Sequence, residues 1–315
     1  MATQVENLDL GSESYIFCIS FNFHGNRLAL SSADQSIQVW DHTQSGWKLS
    51  ARWNAHSGAI FKVRWGHPEF GTLLASCSFD KSVNIYEENA GENSWNTLAN
   101  LVESKEPIED IRFAPKHLGL QLAVCSSNGE IRIYEPSNSV NLKVWSVAQM
   151  FLSSPLGSNC IAWNPSPIDP PMLIVGNNDA ETAREKFCKQ FSEEACLLQL
   201  WVCSTETKTW QNIYTAPEAH KLAVVDLDWA QLMGRRKHLV CSCSLDQNIA
   251  VWRVDGNQGI IELEQVLSGH TSKVWKVCWD LLGTTICSTG DDGKVKVWKR
   301  NLNKEWNCIE EIENP

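Results

Sequence analysis

Six segments of this chain repeat one pattern, in which a polar turn is followed by a short apolar strand that ends in an aromatic residue. The clearest copies read SSADQSIQVW at 31–40, SCSLDQNIAVW at 242–252 and STGDDGKVKVW at 288–298. A repeat of about 40–45 residues with a Trp-Asp-like signature is typical of a β-propeller, in which each repeat forms one four-stranded blade. The sequence therefore predicts an all-β, six-bladed WD-repeat β-propeller. The aromatic ends are Trp40, Tyr86, Tyr134, Trp201, Trp252 and Trp298.

Each repeat is predicted to run in the order inner strand, second strand, third strand, outer strand. In the last repeat these strands are KVWKVCW, TTICST, KVKVW and KEWNCIEEI, and Gly293 in the turn GDDG readily adopts a positive φ. We predict a single domain over 1–315, with an insertion at 177–197 in blade four. The predicted blades span approximately 11–58, 59–105, 106–155, 156–216, 217–268 and 269–312.

This strand order leaves the ring without a latch of its own. Many propellers close by lending one terminal strand to the blade formed by the other terminus, but here KEWNCIEEI already completes blade six. Only residues 1–10 remain, and TQVENLDL is a poor strand candidate. Either the ring closes through side-chain contacts alone, or a gap between the first and last blades exposes apolar faces to a partner. We favour the open ring.

Histidine and aspartate recur at fixed positions in the repeats. His lies nine residues before an inner-strand Trp in three repeats, and Asp lies six residues before the terminal aromatic in four. Such residues suit a buried hydrogen-bond relay, because a buried His and Asp must satisfy each other and an indole N–H needs an acceptor. A scaffold bond recurs from repeat to repeat whereas a catalytic pair need not, so we interpret the relay as structural. Its predicted members are His56, His220, His270, Asp34, Asp80, Asp246, Asp292, Trp40, Trp252 and Trp298.

Composition argues against several functional classes. With 37 acidic and 27 basic residues and a net charge of −10, the chain lacks the basic footprint that direct nucleic-acid binding needs. It contains no apolar stretch of about 18 residues and no CxxC or HExxH spacing, so we expect no transmembrane segment, metal or cofactor. Cysteines inside predicted strands are interpreted as small, buried, reduced thiols, which suits a cytosolic or nuclear protein. They are Cys77, Cys125, Cys241, Cys243, Cys278 and Cys287.

Two further features each have two interpretations. A Trp in the predicted outer strand of five repeats either packs across the strand pair, which we favour, or anchors a partner. The insertion NNDAETAREKFCKQFSEEACL at 177–197 is either a docking element with a short helix or a mobile surface loop. The outer-strand residues are Trp47, Trp95, Trp145, Trp210 and Trp306.

Several segments resemble the Seh family of WD-repeat nucleoporins, the sister family of the Sec-thirteen coat protein. They include FNFHGNRLALSSADQSIQVWD, HPEFGTLLASCSFDKSVNIYEE, FAPKHLGLQLAVCSSNGEIRIYE and GDDGKVKVWK. The similarity covers nearly the whole chain and is weakest over 167–200 and in the fifth repeat. The resemblance implies a six-bladed open propeller, completed by a blade that an α-solenoid scaffold nucleoporin donates in trans.

The same resemblance implies a scaffold subunit of the Y-shaped complex of the nuclear pore, located at the nuclear envelope and supporting nucleocytoplasmic transport. It also implies a second role in the GATOR complex at the cytoplasmic face of the lysosome, which regulates TOR signalling. On this basis we expect the partner to contact Tyr15, Phe17, Val295 and Val297.

Two other functional classes stay open. A COPII-type vesicle coat or adaptor propeller shares the fold and the mode of partner binding, and differs only in segments such as FNFHG and APKHLGL. An enzyme would gather carboxylates, histidines or a metal at the channel mouth, and a phosphopeptide reader would need clustered arginines. The arginines here are scattered apart from Arg235 and Arg236. We therefore expect a non-enzymatic scaffold with no catalytic residue.

Overall fold

The computed structural model describes residues 8, 10–11, 14–89, 91, 94–138, 141–178, 197–204, 206–216, 219–256 and 259–313. The chain divides into two compact units, one of Met1–Ile108 with Val140–Val144 and one of Glu109–Ser139 with Trp145–Pro315. The described residues contain six four-stranded sheets, each in the order of a simple meander. The all-β, six-bladed WD-repeat class is thereby confirmed. The single domain and the opening between the first and last blades stay predictions.

The first unit contains blades one and two. Ile37 and Val39 of blade one pack with Ile60, Val63 and Leu74 of blade two in a single buried cluster. Blade one consists of β1 (Ile16–Phe21), β2 (Arg27–Ser32), β3 (Ser36–Thr43) and β4 (Gly46–Asn54), and blade two of β5 (Ile60–Trp65), β6 (Leu73–Ser78), β7 (Val83–Asn89) and β8 (Ser94–Leu101), with a 3-10 turn at Pro68–Phe70.

The second unit contains blades three to six, each packed against the next through a buried apolar layer. A 3-10 turn lies at Lys116–Leu118. Blades three and four consist of β9 (Ile108–Phe113), β10 (Leu122–Ser126), β11 (Glu130–Pro136), β12 (Trp145–Leu152), β13 (Ser158–Trp163), β14 (Met172–Asn177), β15 (Leu198–Cys203) and β16 (Trp210–Thr215). Blades five and six consist of β17 (Val224–Trp229), β18 (His238–Ser244), β19 (Asn248–Asp255), β20 (Ile260–Ser268), β21 (Val274–Trp279), β22 (Thr285–Gly290), β23 (Lys294–Arg300) and β24 (Trp306–Glu313).

The second strand of a blade shows why these sequences form propeller sheets. β6 (LLASCS) and β18 (HLVCSCS) are buried at every position, because both faces of the sheet are covered there. Small Ala, Ser and Cys side chains let the neighbouring sheets approach closely, and each buried hydroxyl then needs a hydrogen-bond partner. The outer strands, such as β24, alternate buried or half-buried positions with exposed ones over most of their length. Buried serines on the second strands are what the relay described below is built on.

The turn between the second and third strands has the same backbone conformation in five blades. The residue after the turn Asp or Asn has a positive φ, which is 85° at Gly129 and 70° at Gly293. The carboxylate or amide oxygen accepts a hydrogen bond from the backbone N–H two residues on, as Asp292 does from Lys294 at 3.2 Å. The other residues with positive φ at this position are Gln35, Lys81 and Gln247.

The two glycines at this turn position, Gly129 and Gly293, allow a controlled comparison of stability. A Cβ at Gly293 would meet no atom within 4 Å, so Gly293→Ala carries only the left-handed strain of about 1–2 kcal/mol. A Cβ at Gly129 would overlap the carbonyl oxygen of Ser154, so Gly129→Ala should destabilise by about 1–3 kcal/mol more. Urea denaturation of both variants measures the difference, and equal midpoints would contradict the described approach of the two loops.

Candidate partner-binding faces and the buried relay

The relay is most complete in blade six. The His270 Nδ1–H donates to Asp292 Oδ2 at 2.8 Å, and the Ser288 hydroxyl lies 2.8 Å from His270 Nε2. The Trp298 indole N–H donates to the same Ser288 oxygen at 2.9 Å. Burial acts to raise the pKa of Asp292, but hydrogen bonds from His270 and backbone N–H groups outweigh it and hold that pKa below its usual value. Each of the four side chains Asp292, His270, Ser288 and Trp298 thus has a hydrogen-bond partner within the relay.

Blades five and two repeat this arrangement with one variation. In blade five His220 lies 3.3 Å from Asp246 Oδ2 and 2.8 Å from Ser242 Oγ, and Trp252 donates to that hydroxyl at 2.8 Å. In blade two the relay is formed by His56 with Asp80, at 3.0 Å, and Ser76, at 2.7 Å. The aromatic residue there is Tyr86, and its hydroxyl donates to the carbonyl oxygen of Ala55.

Blades one and four satisfy their tryptophans without histidine. The indole N–H of Trp40 donates to Gln38 Oε1 at 3.1 Å, and Trp201 donates to Gln199 Oε1 at 3.1 Å. Asp34 is therefore not linked to Trp40 through a histidine, and instead accepts from the Ser36 N–H and pairs with Arg52. A glutamine two residues before the terminal Trp is the sequence signal for this substitute.

The relay histidines are inaccessible to a substrate. The side chains of His56, His220 and His270 are 0%, 1% and 0% exposed. Each imidazole joins the segment before an inner strand to the turn between the second and third strands of the same blade. This geometry supports the structural interpretation of the relay.

A second His–Asp pair lies outside the repeat pattern and was not identified from the sequence. His238 at the start of β18 contacts Asp169 Oδ2 at 2.8 Å through Nε2, so the long turn of blade four binds blade five. Among the described residues, His238 Nδ1 has no hydrogen-bond partner. Protonating it would bury an unpaired N–H, and burial lowers the pKa of His238 although Asp169 acts to raise it.

These histidines predict a loss of stability in mild acid. Burial lowers the pKa values of both His56 and His238 below 6.5, so the unfolded chain binds more protons than the folded chain as the pH falls through 6.5. Stability is then full above this pH and decreases below it, by at most about 1.4 kcal/mol per pH unit for each histidine. Urea denaturation at a series of pH values measures this slope. His238→Gln should reduce this slope, and an unchanged slope in His238→Gln would contradict the assignment.

Carboxylates on the inner strands join neighbouring blades of the second unit. Asp226 on β17 accepts from the Val277 N–H of β21 at 3.2 Å and from Lys276 Nζ at 2.8 Å. Asp228 accepts from the Trp279 N–H at 2.7 Å. Asp226 is buried and Asp228 is half-buried, and burial raises the pKa of Asp228. The sequence signal, which we did not use, is a pair of Asp residues inside the otherwise apolar strand VVDLDW.

A buried carboxylate on an inner strand also links blades three and four. Asp110 on β9 is fully buried and accepts from the Ile161 N–H of β13 at 3.2 Å. Arg112 lies 3.6 Å from Asp110 and 3.7 Å from Asp226, and its guanidinium donates to the Leu227 carbonyl oxygen. A charged network thus runs between the inner strands of blades three, five and six.

β1 and its flanks carry apolar side chains that the described residues leave largely exposed. Ile19 and Phe21 lie on the side of β1 that pairs with Leu30 and Leu28, and they are 53% and 57% exposed. Phe17 lies at the β-bulge between Ile16 and Cys18, is 48% exposed, and its ring contacts Phe61 of blade two with centroids 5.7 Å apart. Tyr15 and Phe23 flank the strand and are 80% and 68% exposed. We call these five side chains the first-blade face. The opposite side of β1 is buried through Cys18, which contacts the backbone of blade two.

Leu8 and Leu10 cover the same side of blade one further from the inner strand. Ile19 and Phe21 pair with Leu30 and Leu28 on β2, and these two leucines are buried with Trp40. Their cover includes Leu8 and Leu10, and the Leu10 carbonyl oxygen accepts from Gln38 Nε2 at 3.3 Å. Leu8 and Leu10 therefore pack on blade one, although TQVENLDL lacks a strand pattern.

Blade six, in the second unit, also carries apolar side chains that are not fully buried. Val295 and Val297 are half-buried and lie on the opposite side of β23 from Trp298, which packs toward blade five. Val297 pairs with Cys287 on β22, and Cys287 pairs with Cys278 on β21. We call these four side chains the sixth-blade face.

The interpretation of buried thiols is wrong for two of the six cysteines. Cys278 is exposed and Cys287 is half-buried, because both lie on the side of blade six that faces away from blade five. The strand pattern identifies the sheet but does not tell which of its faces a neighbour covers. The four thiols that are buried as expected are Cys77, Cys125, Cys241 and Cys243.

The outer-strand tryptophans make ring contacts that fit the packing interpretation. Trp95 stacks on Trp53 with ring centroids 5.6 Å apart, and Trp306 meets Trp279 edge-on at 5.4 Å. Trp210 contacts Phe151 at 5.7 Å. Trp47 lies 5.9 Å from Phe21 of the first-blade face, and Trp145 is buried.

The described residues contain no candidate for a membrane-spanning helix or for a metal site. Within the described part of the chain no helix has the length and apolar character needed to cross a membrane. The same residues bring no three His, Cys, Asp or Glu side chains together in a way that could hold a metal. Residues 179–196 of the insertion lie outside the described residues, so its two interpretations stay predictions.

Comparison with known proteins supplies the family. The WD domain, G-beta repeat model matches residues 4–41, 47–87 and 261–299. The chain is 36% identical over 311 residues to Nucleoporin SEH1-A of Xenopus laevis, which covers 92% of this chain and 83% of the relative. It is 36% identical over 310 residues to Nucleoporin SEH1 of Homo sapiens, with 92% and 83% covered, and 37% identical over 310 residues to Nucleoporin SEH1 of Danio rerio, with 92% and 82% covered. The resemblance noted in the sequence is confirmed, and the chain belongs to the SEH1 family of WD-repeat nucleoporins.

Proposed function

We propose that this chain is a structural scaffold subunit of the Y-shaped complex of the nuclear pore and that it supports nucleocytoplasmic transport. The names of its relatives support the pore assignment. The observation that carries the proposal is the first-blade face, a set of exposed apolar side chains on and beside an inner strand. Contiguous apolar surface of this kind marks a site of protein interaction.

The partner that we propose is an α-solenoid scaffold nucleoporin that donates a blade in trans. Ile19 and Phe21, two residues apart on one side of β1, suit another sheet, since sheets pack face to face through side chains about 10 Å apart. Fully burying one such side chain is worth about 1.5–3 kcal/mol. Covering these exposed side chains would therefore contribute favourably to this contact.

Val295 and Val297 are the second part of the proposed contact, and Tyr15 extends the first. The resemblance to the Seh family assigns the first-blade face and the sixth-blade face to one partner. Both valines are half-buried, so each retains apolar surface for a partner to cover. The four proposed contact residues, Tyr15, Phe17, Val295 and Val297, thus all retain exposed apolar surface.

We propose the nuclear envelope, at the pores, as the location, with other Y-complex nucleoporins as further partners. The GATOR role implied by the resemblance and the COPII-type alternative would use the same two faces. We place the pore role first because the relatives are named as nucleoporins. The composition of the native complex distinguishes these roles.

Affinity isolation from native extract tests the proposal. The tag belongs at the C-terminus, because Leu8 and Leu10 pack on blade one. We expect mass spectrometry to recover an α-solenoid nucleoporin in near-equal amount together with other Y-complex subunits, and imaging to show a nuclear rim. Recovery of coat subunits, with signal at endoplasmic reticulum exit sites, would support the alternative. Recovery of the chain without any solenoid protein would contradict both.

A further inference from the structure

Two cysteines face each other across neighbouring strands of blade six. Cys278 on β21 and Cys287 on β22 are register partners that lie directly opposite each other in the sheet. The Asp280 N–H donates to the Thr285 carbonyl oxygen, which marks a hydrogen-bonded pair. Such pairs recur every two residues, so the cysteines form the next one, with Cα atoms about 5.5 Å apart. Disulfides span Cα separations of about 4.4–6.8 Å.

The pair differs from the other thiols in access and in acidity. Cys278 is exposed and Cys287 is half-buried, whereas Cys241 and Cys243 are buried. The hydrogen bond from Cys278 lowers the pKa of Cys287 to about 7, and the same contact raises the pKa of Cys278. The two thiols thus share one readily lost proton, and the thiolate is the reactive form of cysteine.

We propose that Cys278 and Cys287 are a reversible redox site, which hydroperoxides oxidise to a cross-strand disulfide. The site lies on the sixth-blade face, yet the proposal does not rest on the scaffold function, because both thiols belong to one blade of this chain. Exposed disulfides are the ones that cellular thiols reduce most readily, so the bond is reversible.

The reaction balances with one hydroperoxide. The Cys287 thiolate attacks one peroxide oxygen, which forms an S–O bond and breaks the O–O bond, and the leaving oxygen takes a proton. Cys278 then loses its proton and attacks the Cys287 sulfur, which forms the S–S bond and breaks the S–O bond. The released hydroxide takes that proton as water. Two thiols lose two electrons and two protons, and hydrogen peroxide yields two waters.

The sequence allows a direct test by mass spectrometry. Trypsin cleaves after Lys276 and Lys294, so both cysteines fall in the single peptide 277–294. The purified full chain is treated with hydrogen peroxide, quenched in acid, unfolded and alkylated with N-ethylmaleimide. We expect this peptide to lose two hydrogen atoms and take up no maleimide. Subsequent dithiothreitol should restore both labelling sites, while the single peptide 238–253, which contains Cys241 and Cys243, stays labelled throughout.

Variants identify the two thiols as a pair. Cys308 on β24 is also exposed, but its register partner on β23 is Trp298 rather than a cysteine. Cys308→Ser should therefore leave the disulfide between Cys278 and Cys287 unchanged. Cys278→Val removes the hydrogen-bond donor and should slow iodoacetamide labelling of Cys287 at pH 7 roughly tenfold, as its pKa returns toward about 8.5. Any of three results would overturn the proposal. They are labelling of the peptide by two maleimides after peroxide treatment, a sulfinic acid on Cys287 without a disulfide, and a disulfide to Cys308.

Discussion

Replacing Phe17 and Ile19 together with lysine is expected to weaken binding of the α-solenoid nucleoporin at least about 100-fold. Central apolar residues of an interface typically cost about 2 kcal/mol or more each when they are lost, and each 1.4 kcal/mol is about tenfold in affinity. Both side chains are about half exposed, so the folded chain tolerates the change far better than the interface. Co-expression with the solenoid partner, followed by affinity isolation and titration, measures the loss.

The control is an apolar side chain that is just as exposed but lies elsewhere. Met150 on β12 is 60% exposed and belongs to the outer strand of blade three. Met150→Lys should leave binding unchanged, and both variants should keep the thermal midpoint of the unmodified chain within a few degrees. Undiminished binding by the double variant would rule out the first-blade face as the partner site.

Asp226→Asn is expected to give the largest loss of stability, of about 2–4 kcal/mol. The carboxylate is buried and faces Lys276 at 2.8 Å, the Val277 N–H at 3.2 Å and Arg112 at 3.7 Å. The amide removes the negative charge and turns an N–H donor toward groups that are themselves donors. Breaking a buried ion pair by removing one partner costs about 3–5 kcal/mol, and the amide oxygen retained in Asn offsets part of this. Urea denaturation measures the change.

A neighbouring residue provides the matched comparison. Asp228 lies on the same strand and face, but burial raises its pKa and its closest bond is to the Trp279 N–H, which an amide oxygen still accepts. Asp228→Asn should therefore cost less than Asp226→Asn. Glu262→Ala, which removes one partner of the exposed pair with Lys237, should cost about 0–1 kcal/mol. If all three midpoints coincide, the inner-strand carboxylates do not hold the blades together.

The features that could be predicted from the sequence are those that recur. The positions of His270, Asp292 and Trp298 repeat at fixed spacing in other blades, and a fixed spacing on a regular sheet places the same atoms together each time. The pair of His238 and Asp169 does not recur. It joins a proline-rich turn to a strand 69 residues away, which no local pattern encodes.

Burial was predicted less well than strand position. Period-two patterns placed Cys278 and Cys287 correctly in strands, but whether a strand face is covered depends on the neighbouring blade. Likewise Leu8 and Leu10 cover blade one from a segment without any strand signal. Exposed apolar surface on the first blade was expected from the strand order, which leaves the ring without a latch, and the resemblance to a family pointed to Phe17, although apolar residues on an inner strand ordinarily indicate a core.

The first-blade face also bears on what happens to copies of this chain made in excess of their partner. Exposed apolar side chains such as Phe17, Ile19 and Phe21 make an unassembled chain prone to aggregation and to capture by chaperones. In the proposed scaffold role, an unassembled copy would display these side chains and an assembled copy would conceal them. The lifetime of each molecule would then depend on the supply of its partner.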